Sequence, residues 1–284
     1  KYKYSLLYYL IMNITFATCW YNLKSKYDIE IYRKWMYNFL SNVNNFNLVI
    51  YTNKESYSVL EPLLEYNKNE KIKVIFKEWN EFHGYQWRDN WINNHQNNNL
   101  LNDKSRFNTD WKLNMLWSEK INFVKEIMDK KYFDTEWYGW CDIGYFRGGN
   151  NLTNEEIRKW PNKDKINILD KNKIYYGLPG NRKDLTTLSK NILTKNKNNM
   201  PEFPIPPDQI SIAGGFFLSH KDKLEWWHTI YYKRLNDYFT HKYLVKDDQV
   251  VIIDSIINNL KNFKLIEEQD PIKDRWFVFQ SFLL

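Results

Sequence analysis

Three short stretches of the chain combine carboxylates, glycines and amides in patterns that can do chemistry. The first is WYGWCDIGYFR (residues 137–147), where an apolar run ends in one acid, Asp142, followed by Gly144, two aromatics and Arg147. An acid at the tip of a buried strand either caps a turn or faces a cleft. In the second case Asp142 is placed to hold Mg2+ or Mn2+ through oxygen, with Gly144 allowing close backbone approach. The second stretch is AGGFF (213–217), where Gly214 and Gly215 inside a strand pattern mark a bulge, a close ligand or tight packing. The third is DDQ (247–249) at the head of a nearly all-apolar helix. Asp247 suits the N-cap and Asp248 the positive end of the helix. One cap explains one acid, so Asp248 and Gln249 still need a reason.

Cations are the other half of such chemistry. Arg106, Lys112, Arg147 and Arg182 are candidates for binding phosphate, which arginine takes in bidentate fashion. Lys112 precedes the apolar stripe of a long helix. The five histidines show no metal-ligand spacing; His220, just after the glycine strand, is the one to watch, and His228 falls beside an apolar helical stripe. There is no P-loop, GxGxxG, GxSxG or CxxC pattern.

The elements that must position these residues alternate. ITFATCW (14–20), NLVIYT (47–52) and IKVIFKEW (72–79) read as strands. Between them a helix begins near Asp28, with Ile31, Trp35 and Phe39 on one face, and SYSVLEPLLEY (56–66) is a short helix with Pro62 inside, so that it is kinked or begins late. Residues 80–106 read as an irregular insertion with some helix, whose Trp and Tyr side chains are available for stacking. Leu113, Leu116, Trp117, Ile121, Val124, Ile127 and Met128 form the clearest helical stripe. It leads into EWYGWCD, the fourth strand. QISIAGGFFLSH (209–220) is a further strand, and Leu224, Trp227, Tyr231, Leu235 and Tyr238 mark a helix. DDQVVIIDSIINNL (247–260) is a buried helix. This order predicts an α/β fold with a mostly parallel central sheet flanked by helices. In such sheets ligands bind beyond the carboxyl ends of the strands.

The three motifs, in this order, resemble the HtrL/YibB family of glycosyltransferases with a GT-A-like (Rossmann-like) fold, over residues 14 to about 260. The resemblance implies a nucleotide-sugar donor lying across Asp142 and the end of the first strand at Trp20. It places the glycine strand with Gln249 beside an acceptor cleft and the acids Asp247 and Asp248 near the reacting sugar. Asp142 would be the metal ligand for Mn2+ or Mg2+. The usual Asp-x-Asp metal motif is broken here by Gly144, and no C-terminal histidine stands in for the missing ligand. Sugar transfer from a diphosphate needs a cation for the leaving group, and an inverting enzyme needs a carboxylate base. Asp248 is the candidate for base or acceptor orientation. A catalytically inactive module binding glycans or nucleotide sugars on the same fold is the alternative.

Composition bounds the rest. The chain has 284 residues, 43% hydrophobic and 18% aromatic, enough for a large core. Residues 12–284 read as a single domain after an N-terminal extension, residues 1–11, with Met12 a possible start. The net charge of +7 favours anionic ligands but is not gathered on one helix, so no nucleic-acid partner is expected. The expected partners are a nucleotide sugar and a glycan or protein acceptor. The apolar YSLLYYLIM (4–12) is too short to span a bilayer. Two separated cysteines, Cys19 and Cys141, read as reduced thiols of a cytoplasmic protein on neighbouring strands. The asparagine and lysine content is that of an AT-rich genome such as a giant virus's, so the sequons at Asn13 and Asn151 are expected by chance.

Overall fold

The computed structural model describes residues 14–24, 27–103, 109–147, 152–206 and 211–284. The extension 1–11, Arg106 and the sequons at Asn13 and Asn151 lie outside the described residues. Seven strands form one sheet: β1 (Ile14–Cys19), β2 (Asn47–Thr52), β3 (Ile72–Phe76), β4 (Trp137–Cys141), β5 (Ile174–Gly177), β6 (Ala213–His220) and β7 (Phe263–Ile266). Their order is β3-β2-β1-β4-β6-β5-β7. All neighbouring pairs are parallel except β4–β6 and β5–β6, so β6 alone runs against the rest. This is the mostly parallel α/β sheet of a GT-A-like, Rossmann-like fold.

The helices are α1 (Ile29–Leu40), α2 (Lys54–Tyr66), α3 (Arg88–Gln96), α4 (Asn99–Asn102), α5 (Lys112–Asp129), α6 (Asn154–Lys159), α7 (Lys163–Asn167), α8 (Arg182–Leu193), α9 (Lys221–Thr240), α10 (Asp248–Ile257) and α11 (Val278–Phe282). Strand alternation divides the core into two layers. Ala17, Tyr138 and Trp140 face one side, where α3, α5, α8, α9 and α10 pack. Phe16, Trp137 and Cys141 face the other, against α1, α2, α7 and α11. Cys19 packs on the first face and Cys141 on the second, so the two free thiols sit back to back on adjacent strands.

Gly139 shows how tightly the central strands meet. A Cβ there would stand 2.4 Å from the Phe217 carbonyl oxygen and 3.0 Å from the Phe16 ring. The oxygen belongs to the β4–β6 ladder and cannot retreat without breaking it. Gly139→Ala should therefore cost about 3 kcal/mol, lowering Tm by roughly 2–4 °C for each kcal/mol. A thermal melt with unchanged Tm would show that the ladder yields.

Two expectations need correction. Residues 80–102 are mostly helical: two 3-10 segments (Trp79–Glu81 and His83–Trp87) lead into α3 and α4. Their aromatics are packing groups, since Trp91 is fully buried against Phe239 and Trp87 stacks on Tyr232 and donates to Asn236 Oδ1. Ile31 of α1 is exposed, and Asp28 occupies its N-cap position without a side-chain cap bond. Pro62 lies inside α2, as expected, and the helix begins well before it, at Lys54. No described helix is long and apolar enough to cross a membrane.

Candidate functional site

The chain leaves β1 toward β2 and β3 on one side, then returns to place β4 on the other. The β1–β4 boundary is thus the point where the strand order reverses, and a crevice opens there beyond the carboxyl ends of the strands. One lobe of this cleft spans about 750 Å3, including the open solvent at its mouth, and is mainly apolar. Cys19, Trp20, Tyr21, Tyr32, Trp35 and Leu116 line it. A second lobe of about 1370 Å3 is polar, with Gly214, Gly215, Asp247, Asp248, Gln249 and Asp274 in its wall. Tyr32, Trp117, Lys120, Asp142 and Arg147 border both.

Of the residues singled out in the sequence, the cleft brings together Trp20, Asp142, Gly144, Arg147, Gly214, Gly215, Asp247, Asp248 and Gln249. Lys112 stands apart, its ammonium 5.6 Å from the Trp79 ring and 3.9 Å from Asp110, and does not line the cleft. Arg182 pairs with Glu267 on the surface. His220 sits where β6 ends, beside the start of β4 and so at the end of the strands away from the cleft, capping α9 and contacting Glu136. His228 packs on His83 and Tyr232, where burial pushes its pKa down to about 4.

Asp142 does both things its sequence allowed. Its backbone carbonyl accepts from Tyr145 N at 2.8 Å, forming a turn, and its backbone N–H donates to Gly215 O. Its side chain is 37% exposed in the cleft, with Oδ1 held by Trp140 Nε1 at 2.6 Å. The antiparallel run of β6 explains the double glycine. β6 starts where β4 stops, so Gly214 and Gly215 flank Asp142. A Cβ on Gly215 would lie 3.1 Å from Asp142 Oδ2, and one on Gly214 would lie 3.2 Å from Asp248 Oδ2. A side chain at either position would push its neighbouring carboxylate back by a few tenths of an ångström. Gly144 serves a neighbour: its Cβ would meet the Trp35 ring at 2.9 Å, so it seats an aromatic of the apolar lobe.

Asp247 caps α10, its Oδ1 accepting from Val250 N at 3.3 Å, and its Oδ2 pairs with Lys246. Asp247→Ala should cost roughly 1 kcal/mol of stability, read as a shift in denaturation midpoint; no shift would mean Lys246 and the fold hold the turn alone. The segment before the cap is pinned from the Asn-rich region. Asn94 exchanges two hydrogen bonds with Val245, Asn114 donates to Val245 O, and Asn98 donates to Lys246 O. These buried asparagines fix the backbone that presents the two acids.

Asp248 is the most unusual group of the cleft. It is 3% exposed, and Oδ2 finds no hydrogen-bond partner among the described residues. Burial, opposed by Lys120 and reinforced by Asp247 and Asp142, lifts its pKa to about 7. Glu119 is lifted to about 7 by burial too, but its oxygens are taken by the backbone N–H groups of His83 and Gly84. Glu119 is therefore a structural acid, whereas Asp248 Oδ2 accepts no hydrogen bond among the described residues and is met at 3.5 Å by the Lys120 ammonium.

Sequence reasoning missed Lys120. Its side chain is 10% exposed, and Nζ lies 2.9 Å from Gly214 O, 3.3 Å from Asp142 Oδ1 and 3.5 Å from Asp248 Oδ2. Burial lowers its pKa, but Asp142 and Asp248 outweigh this and hold it at about 12, so it stays an ammonium. The signal was present: a lysine three residues after Trp117 and four after Leu116, inside the apolar stripe of α5.

A metal ion fits these residues poorly. Among the described residues no three His, Cys, Asp or Glu side chains gather as a ligand set. One oxygen of Asp142 is already taken by Trp140 and Lys120, and the ammonium stands between the two acids.

No protein-family model and no curated protein matches the chain. Among solved structures, 67 chains match. One is 4-diphosphocytidyl-2C-methyl-D-erythritol synthase from Anaerococcus prevotii, 13% identical, covering 95% of each chain with a TM-score of 0.39.

Proposed function

We propose that this protein is a glycosyltransferase that moves a sugar from a nucleotide-diphosphate sugar to a glycan or protein hydroxyl. The observation that carries the reading is the two-lobed cleft at the switch point: an aromatic lobe joins a lobe holding a buried carboxylate, Asp248, whose Oδ2 is paired by charge with Lys120 but accepts no hydrogen bond among the described residues. The base would stack among Trp20, Tyr32 and Trp35. Trp20 Nε1, buried without a described hydrogen-bond partner, offers a donor to a base carbonyl. The diphosphate would pass Arg147 at the junction, placing the sugar over Gly214, Gly215 and Asp248.

In this pose Asp248 takes the proton from the acceptor hydroxyl as its oxygen attacks the anomeric carbon. The bond from that carbon to the diphosphate breaks, and its electron pair leaves on the phosphate oxygen, where Arg147 offsets the developing charge. An attack with a protein base on the acceptor side inverts the anomeric centre. A pKa near 7 suits the base, because a useful fraction is ionised while proton affinity remains high. The likeness of the three motifs to HtrL/YibB glycosyltransferases points the same way.

A thermal-shift panel of UDP-, GDP- and CMP-sugars, each with Mn2+ and with EDTA, tests the reading. A donor that binds only the folded chain raises Tm by mass action. At least one nucleotide sugar should do so and should be hydrolysed slowly in the absence of acceptor. No shift with any of them sinks the proposal; a shift without hydrolysis or transfer leaves a binding module.

A further inference from the structure

We infer that Lys120 is the resident cation of this cleft, standing in the place where a divalent metal would bridge the two acids, so that donor binding needs no metal. The inference rests on the proposed donor site for its meaning, but its geometry is independent of any donor. The ammonium of Lys120 has three N–H donors, and three oxygens surround it: Gly214 O, Asp142 Oδ1 and Asp248 Oδ2 at 2.9, 3.3 and 3.5 Å. The three acceptors come from β6, the end of β4 and the head of α10, while the lysine itself comes from α5. Lys120 therefore ties together four of the elements that line the polar lobe. Its Nζ also lies 5.7 Å from the Trp140 ring, whose indole N–H holds Asp142 Oδ1.

A carboxylate pair held at one site ordinarily needs a counter-charge. Here a covalently attached ammonium supplies it, and a dication entering between the same acids would meet a like charge at contact distance. This accounts for the lone carboxylate in a strand-end motif where Gly144 replaces a second acid. One carboxylate and a lysine do the positioning that two carboxylates and a metal would do. Lys120 is a positioning residue: it donates to Gly214 O and pairs by charge with Asp142 and Asp248, through which it acts on the sugar and the base. In the transfer step it keeps its proton. The acceptor proton goes to Asp248, and the electron pair of the broken bond goes to the diphosphate.

Titrating Mn2+ alone against the protein, followed by electron paramagnetic resonance of the free ion, tests this without any nucleotide sugar. The wild type should bind no stoichiometric Mn2+. Lys120→Ala should bind one ion per chain, and adding Asp142→Asn should abolish that binding. Stoichiometric Mn2+ on the wild type overturns the inference, and this arm needs no variant to fold. Absence of Mn2+ binding by folded Lys120→Ala also overturns it; if that variant does not fold, Lys120→Met, which fills the same space, is titrated instead. In a second arm the UDP-, GDP- or CMP-sugar giving the largest thermal shift is tested with EDTA. The shift should persist, and its loss overturns metal independence. Failure of every sugar to bind would instead remove the functional reading and leave the Mn2+ result standing.

Discussion

Asp248→Asn should lower sugar transfer by about 10²–10⁴-fold, the range for removing a general base, while leaving donor affinity nearly unchanged and making the protein more resistant to heat at alkaline pH. All three effects follow from one environment. The carboxylate is 3% exposed, and its neighbours Asp142 and Asp247 repel its charge. Lys120 attracts it, but the partly exposed Asp142 already serves as counter-charge for that ammonium, so Asp248 is the surplus acid. Its pKa rises from 3.8 to about 7 as the chain folds. The folded state thus binds a proton that the unfolded state releases. The resulting stabilisation is complete below about pH 3.8, declines as pH rises, and is lost above about 7. Asparagine has no proton to lose. The Tm difference between variant and wild type should therefore grow from pH 5 to pH 8.5 in favour of the variant. Wild-type turnover should rise with pH through about 7 as the base ionises, and that limb should vanish in Asp248→Asn. Wild-type rates in the variant, or a Tm difference that does not change with pH, would reduce Asp248 to an ordinary buried side chain. The predicted gain in stability on losing activity is what a strained functional residue produces.

The sequence made the frame readable because its physical signals are local. β-branched strands alternating with amphipathic helices declared the first half of the sheet, and the single stripe of α5 was unmistakable. The DDQ cap was readable because capping depends on residues next to each other. The 80–102 region was not, because its helices are polar and rich in asparagine. They are held by long-range partners such as Phe239 and the backbone of Val245 and Lys246, which no local period reveals. The short strands β5 and β7 gained their order from β6 and from each other, again at long range. At the site, Asp142 and Asp248 stood out as acids beside apolar runs. Lys112 drew attention over Lys120 because it opens the helix, yet the helix turns Lys120 into the cleft and Lys112 toward Trp79. A cation inside an apolar stripe says that something buried must neutralise it, and the two acids were already in view.

Arg147→Ala should weaken nucleotide-sugar binding by about 10–100-fold, the equivalent of losing charge-assisted hydrogen bonds of about 1.5–3 kcal/mol. Arg147 borders both lobes of the cleft, at the position where a diphosphate must connect a base in one to a sugar in the other. Its guanidinium carbon lies 5.0 Å from the centre of the Trp35 ring and 4.8 Å from that of Phe277. Those cation–π contacts hold the head in place without using its N–H donors, which project from the edge of the plane. Trp35 is itself seated by Gly144, so the glycine that breaks the two-acid motif helps orient the arginine. Lys120 cannot take over, because its ammonium donates to Gly214 O and is already paired with Asp142 and Asp248. Arg147→Lys keeps the charge but loses the planar fork and the fit between two rings, so it should recover only a minor part of the lost affinity. Calorimetry with the best nucleotide sugar, its nucleoside diphosphate and the bare nucleoside separates the roles. The first two should weaken together in Arg147→Ala, while the nucleoside, which carries no phosphate, should bind the variant and the wild type alike. Should the nucleoside lose as much affinity as the diphosphate, Arg147 only shapes the aromatic lobe, and the phosphate path through the junction is wrong.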